Sequence, residues 1–258
     1  MIGKTIKARL LELIVRVVIR AISLLSRRQG CKAPRGNSFF KKRAALAILV
    51  PHPDDEVLGC YHFLERYGGA MDIDLIYVTD AADSKYADKR FTESTEACKG
   101  LSIRRRARWH FRDSGLTTTR AQLFKSLHNI DKDYDFVLCP SIHDRTADHK
   151  VLADEAVRAI SPDKLIWYRS TWLTFMLHSA DFVVTGSAKK KRAAIGCFKT
   201  QKQIALQNAV TISSLEARRH GLSASSVEGF RLASSATVDV EIINTLSIRS
   251  LWRNRELL

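Results

Sequence analysis

The chain has 258 residues, 45% of them apolar, and a formal charge of +15 at pH 7. That length and composition suit one large domain, or one domain with additions, and exclude a disordered or fibrous chain. The charge is lopsided: residues 1–43 hold twelve Lys or Arg against the single acid Glu12, a net +11 that leaves +4 for the other 215 residues.

In chain order, residues 6–28 read as one helix. Arg9, Glu12, Arg16, Arg20, Ser23 and Arg27 recur at steps of three, four or seven and share a face. Leu10, Ile14, Val17, Val18, Ala21 and Leu25 line the other face. Arg16 and Arg20 interrupt any run of the ~18 apolar residues a membrane span needs. The apolar stretch is also too short for a cleavable signal peptide. A basic amphipathic helix of this kind reads first as lying on an anionic membrane surface, and otherwise as packed on the body or on a partner subunit. Gly30 to Phe40, with Pro34, Gly36 and Asn37, reads as a linker.

Ala44 to Val50 is an unbroken apolar run, the mark of a strand buried on both faces. A helix over Val57–Tyr67, stopped by Gly68-Gly69, follows. The pattern continues with a strand at Ile73–Thr79, a polar loop over 80–89 and a helix at Phe91–Lys99. Next come a strand at Ala107–Phe111, a helix at Ala121–Asn129 and a strand at Tyr134–Cys139. A helix over Val151–Ile160, ended by Ser161-Pro162, leads to a strand at Leu165–Tyr168. Strands alternating with helices predict an α/β domain with a mostly parallel sheet flanked by helices.

The five cysteines, Cys31, Cys60, Cys98, Cys139 and Cys197, are odd in number, widely spaced and without a Cys-x-x-Cys pair. This suits a reducing, cytoplasmic compartment and argues against a sulfur-built zinc site. The near-neutral body argues against nucleic acid as a partner. The runs Arg104-Arg105-Arg106 and Lys189-Lys190-Lys191-Arg192 lack interleaved aromatics and read as solvated faces.

The chemistry concentrates just after the first strand, in Pro51-His52-Pro53-Asp54-Asp55-Glu56. In open α/β sheets, ligands bind beyond the carboxyl ends of the strands. A second such delivery is Asp148-His149, beyond the strand that ends at Cys139. A catalytic zinc takes three protein ligands and keeps a position open. His52 and Asp55 can supply two and His149 the third, leaving Asp54 as a general base. Each residue also suits a local job: Asp54 and Asp55 can cap the following helix, and His52 can be a hydrogen-bonded loop residue. Several such groups at one strand end, met by an Asp-His pair from another, favour the metal site.

These motifs, in this order, resemble the LmbE-like (PIG-L) family of metal-dependent N-acetylglucosaminyl deacetylases. His52-Pro53-Asp54-Asp55-Glu56 resembles its first motif, and Arg90-x-x-Glu93-x-x-x-Ala97 its Arg/Glu helix. Asp113-Ser114-Gly115-Leu116 resembles the next loop and Asp148-His149 the second metal motif. Lys191 to Gln201 and Glu228-Gly229-Phe230 resemble two late elements. The likeness spans about residues 44–232; residues 1–43 are left as extension and linker, and 44–258 as the deacetylase domain. It implies a Rossmann-like fold and Zn2+, or another divalent metal such as Fe2+, on His52, Asp55 and His149. It also implies Asp54 as base and Arg90 and Asp113 as contacts to the sugar. By local spacing, Arg90 suits an ion pair with Glu93 just as well.

One position departs from the family pattern. Three residues before the second metal histidine, where the family has another histidine that stabilises the oxyanion, stands Thr146. Asp148, which in the family orients that histidine, is kept. Either His143 substitutes, or Thr146 holds a water, or the oxyanion relies on the metal. Losing such a donor costs roughly 10²–10³ in rate. The expected activity is N-deacetylation of an amino sugar in a lipid-linked or lipopolysaccharide-type glycoconjugate. The expected setting is the cytoplasm, with residues 6–28 attaching peripherally to the membrane face. The alternative is a catalytically impaired member that binds metal or sugar.

Overall fold

The computed structural model describes residues 40, 43–79, 86–170, 174–201 and 203–235. The amphipathic stretch 6–28 lies outside them. Strand β1 is Ala45–Val50 and helix α1 is Asp55–Tyr67, followed by β2 at Asp72–Thr79 and α2 at Ala87–Ala97. Then come β3 (Arg105–Phe111), α3 (Arg120–Ile130), β4 (Phe136–Pro140), α4 (Ala147–Ala159) and β5 (Leu165–Tyr168). The last elements are β6 (Phe182–Gly186), α5 (Ala188–Ile195), α6 (Gln203–Arg219) and β7 (Ser226–Leu232).

The seven strands form one sheet in the order β3-β2-β1-β4-β5-β7-β6. The β1–β2, β1–β4, β2–β3 and β4–β5 pairs are parallel. Only β7 runs against its neighbours β5 and β6. The sheet is thus mostly parallel and flanked by helices.

The unbroken apolar run of β1 is explained by burial on both faces. Ala47 and Leu49 point into one core with Leu123 and Leu127 of α3 and Val151, Leu152 and Ala156 of α4. Leu46, Ile48 and Val50 point into the other with Cys60, Phe63 and Leu64 of α1. Adjacent residues of a strand face opposite ways, so a strand between two helical layers carries no polar face. Phe40 joins the second core, edge-on to Phe63, Phe136 and Phe182. Gly59 lets α1 lie close on β5, since a Cβ there would collide with the Tyr168 ring.

Three helices start two or more residues earlier than the sequence pattern indicates: α1 at Asp55, α2 at Ala87 and α4 at Ala147. The α4 shift matters most, because Asp148 and His149 belong to its first turn and not to a loop. Chain direction turns between β1 and β4, which lie side by side while their crossovers lead to opposite edges of the sheet. That is where an open α/β sheet forms its ligand crevice.

Candidate metal centre

Both sides of this crevice carry the expected residues. His52 and Asp55 follow β1, with Asp55 opening α1, and His149 opens α4 from the β4 side. His52 Nδ1 lies 3.2 Å from His149 Nε2 and 3.5 Å from Asp55 Oδ2. His149 Nε2 lies 3.0 Å from Asp55 Oδ2. An ion held at about 2.0–2.1 Å in tetrahedral geometry sets its ligand atoms roughly 3.3 Å apart. The three separations bracket that value, so the residues fit a zinc-sized divalent ion.

Both imidazoles are oriented from behind. His52 Nε2 is 3.2 Å from Asp148 Oδ2, and His149 Nδ1 is 3.1 Å from Asp144 Oδ2. With those nitrogens donating to carboxylates, Nδ1 of His52 and Nε2 of His149 face the centre as lone pairs. Asp148 is fixed in turn by the Ser114 and Leu116 backbone N–H groups, at 2.6 and 3.3 Å. Asp144 also receives the Thr146 N–H at 2.8 Å.

The local field calls for positive charge. Burial works against a charged His52, but the hydrogen bonds to Asp148 and Asp55 outweigh it and raise its pKa to about 9. His149 is raised despite burial, through Asp55 and Asp144. Asp55 is depressed although burial opposes ionisation, because both histidines stand beside it. Asp54 is pushed well above the usual carboxylate range by burial and by the adjacent Asp55. Two imidazoles ringed by carboxylates take up protons or a cation, and a divalent ion answers the same field.

Asp54 precedes α1 but makes no side-chain cap to it, and it is not one of the three converging ligands. Nor does Asp55 act as a cap; its carboxylate receives the His52 backbone N–H at 3.1 Å. Local capping therefore does not account for the pair.

Arg90 Nη1 donates to Asp113 Oδ2 at 2.6 Å, while Asp113 Oδ1 accepts from Thr79 at 2.5 Å. Asp113 is held below the usual carboxylate range: burial opposes this, but the Thr79 hydroxyl, His52 and Arg90 prevail. Glu93 instead receives the Thr200 N–H and hydroxyl, at 3.0 and 2.5 Å. Thr146 is the residue preceding α4, in extended backbone. The His143 backbone N–H donates to Ser141 Oγ, and burial, with Arg231 second, lowers the pKa of its ring. Among the described residues its ring hydrogen-bonds none of the ligands.

Asp144 and Ser170, beside His149, and Ser94, which donates to Glu56, lie outside the residues that the sequence motifs single out. Ser170 Oγ lies 3.4 Å from His149 Nδ1 and also lines a small cavity of about 30 Å³. None of the three ligands lines that cavity, which is walled by the buried pairs Arg169–Glu216 and Lys191–Glu228. The chemistry therefore belongs to the convergence of side chains at the crevice and not to this cavity.

Residues 47–160 match the family model described as PIG-L: GlcNAc-PI de-N-acetylase. No curated protein matches in sequence. Among solved structures, a conserved protein from Thermus thermophilus is similar at 22% identity and a TM-score of 0.58, over 73% of this chain and 94% of its own. N,N'-diacetylchitobiose deacetylase from Pyrococcus horikoshii is similar at 15% identity and a TM-score of 0.60, over 79% of this chain and 89% of its own. The 4-carboxy-2-hydroxymuconate hydratase of Pseudomonas putida is similar at 15% identity and a TM-score of 0.55, over 73% of this chain and 95% of its own. These likenesses show a shared fold, and one fold here serves a deacetylase and a hydratase, so the chemistry must be argued from the site.

Proposed function

We propose that this chain, whose residues 47–160 match the PIG-L family model, is a metal-dependent deacetylase of N-acetylated amino sugars. The observation that carries the reading is the convergence of His52 Nδ1, Asp55 Oδ2 and His149 Nε2 with Asp54 beside them. A divalent ion held there supplies Lewis acidity toward an amide carbonyl and lowers the pKa of a bound water. Asp54 takes a proton from the attacking water and delivers it to the departing nitrogen. The carbon–nitrogen bond breaks, and acetate and a free amine leave. Asp144 and Asp148 keep the imidazoles in the tautomers that bind metal. Arg90 and Asp113, a partly exposed ion pair, are the groups we assign to the sugar hydroxyls.

The substrate we favour is a lipid-linked or lipopolysaccharide-type glycoconjugate, with Zn2+ as the metal. Support for the lipid comes from the +11 charge of residues 1–43 and the two-faced pattern of 6–28. Zinc-loaded protein should release amine from N-acetylglucosamine conjugates, and Asp54→Ala should not. For the membrane element, replacing Arg9, Arg16 and Arg20 by Glu in the full chain should abolish sedimentation with anionic vesicles. Unchanged sedimentation would remove that element and leave the hydrolase reading intact.

Thr146 favours a second reading, a metal-holding binding protein, because the family's histidine is missing there. Stoichiometric zinc with amine release no faster than Asp54→Ala, across a panel of N-acetylated sugars, would select it.

A further inference from the structure

We infer that Glu56, Ser94 and Tyr77 form a buried clamp that positions Asp54, a role that rests on the reading of Asp54 as the base. Asp54 has φ 149° and ψ −27°, a backbone conformation that residues with a Cβ rarely adopt. Such conformations persist only where their surroundings over-determine them, and they gather at functional sites.

The restraint is visible on both sides of the residue. The Asp54 carbonyl accepts from the Val57 and Leu58 N–H groups at 3.0 and 2.9 Å. Its own N–H donates to Glu56 Oε2 at 3.0 Å. The other oxygen of Glu56 accepts from the Ser94 hydroxyl at 2.5 Å. Glu56 and Ser94 are both fully buried.

The chain of bonds continues with one consistent direction. Arg106 Nη1, which can only donate, lies 3.0 Å from the Tyr77 hydroxyl. Tyr77 lies 2.7 Å from Ser94 Oγ. Since Ser94 gives its proton to Glu56, Tyr77 donates to Ser94. Donors therefore run Arg106 to Tyr77 to Ser94 to Glu56, while the Asp54 N–H closes on the free oxygen. Four elements, β3, β2, α2 and α1, are tied to one strained peptide. Glu56 itself is not among the converging metal ligands. Its carboxylate is committed to Asp54 and Ser94, which makes it a positioning residue.

Ser94→Ala tests the clamp with three readouts on the full chain. Amide exchange followed by mass spectrometry should speed up at least about tenfold at Asp54 while the β1 amides stay protected. Zinc affinity should stay within about threefold of wild type, because the ligands keep their own carboxylate partners. On an N-acetylglucosamine conjugate, kcat should fall about 10- to 100-fold with KM unchanged, as misplacement of a reacting group does. Tyr77→Phe, one bond further out, should give the same pattern in weaker form and serves if Ser94→Ala folds poorly. Wild-type exchange at Asp54 in both variants overturns the clamp, and so does a loss of zinc affinity as large as the loss in kcat. If wild type hydrolyses no amide yet the exchange difference is present, the deacetylase reading fails and the clamp stands as a structural fact.

Discussion

His52 Nε2 stands 3.2 Å from Asp148 Oδ2, so the carboxylate next in sequence to one metal-type histidine orients the other. In the family pattern the equivalent aspartate serves a further histidine, whose place is Thr146 here. The structure gives the carboxylate another partner, and the centre gains a symmetrical support: Asp148 behind His52, Asp144 behind His149. Asp148→Asn keeps the shape but can present an N–H where an acceptor is needed. Zinc affinity, measured by competition with a chromophoric chelator, should fall roughly 10- to 100-fold, and Asp144→Asn should do the same. Wild-type affinity in both variants would show that the carboxylates do not set the tautomers.

Asp54 should behave oppositely to those two. It is adjacent to a ligand without being one, so Asp54→Asn should retain zinc. Amine release should drop about 10²–10⁴-fold, the usual contribution of a positioned proton acceptor. A parallel loss of zinc and activity would recast Asp54 as a ligand.

How far the sequence discloses this site depends on how local each interaction is. His52, Asp54 and Asp55 lie in one short run after an apolar strand, and their clustering is readable directly. His149 is readable as a partner, but its setting is not. Asp and His favour loops by propensity, whereas here the helix N-terminus accommodates Asp148 in its first turn. The Arg90–Asp113 pair spans 23 positions and the Glu56–Ser94 contact 38, separations at which spacing says nothing. Local spacing offered Glu93 as the partner of Arg90, but Glu93 is taken up by Thr200, 107 positions away. The late strands β6 and β7 fall outside the alternating pattern because β7 inserts antiparallel between β5 and β6.

Acid stability should report on Asp74, a fully buried carboxylate on β2. It accepts from Arg104 at 2.7 and 2.8 Å and from the Tyr134 hydroxyl at 2.7 Å. Burial alone would raise its pKa, but the Arg104 and Tyr134 hydrogen bonds outweigh it and hold it below the ordinary value. A depressed carboxylate stabilises the fold fully above its unfolded pKa of about 3.9 and loses that contribution as pH falls through its folded value. Asp74→Asn should therefore be less stable at neutral pH, and its unfolding midpoint should change less between pH 5 and pH 2 than that of wild type. Equal acid dependence in the two proteins would assign the acid transition to other groups.

Lys191 of α5 and Glu228 of β7 form a buried charged pair. Lys191 Nζ lies 2.6 Å from Glu228 Oε1 and 2.7 Å from the Leu58 carbonyl of α1. Glu228 also receives the His62 and Phe63 backbone N–H groups, at 3.0 and 3.1 Å. The pair thus grips α1 two turns beyond Asp55. Burial pushes the Glu228 pKa up even with Lys191 and two backbone N–H groups beside it, so desolvation outweighs them. Removing one partner strands the other charge, so Lys191→Met should destabilise by about 3–5 kcal/mol. The double variant Lys191→Met with Glu228→Gln removes both charges and should recover part of that loss. Denaturant melts of the four proteins give the coupling directly, and strictly additive effects would mean the two side chains act independently in holding α1.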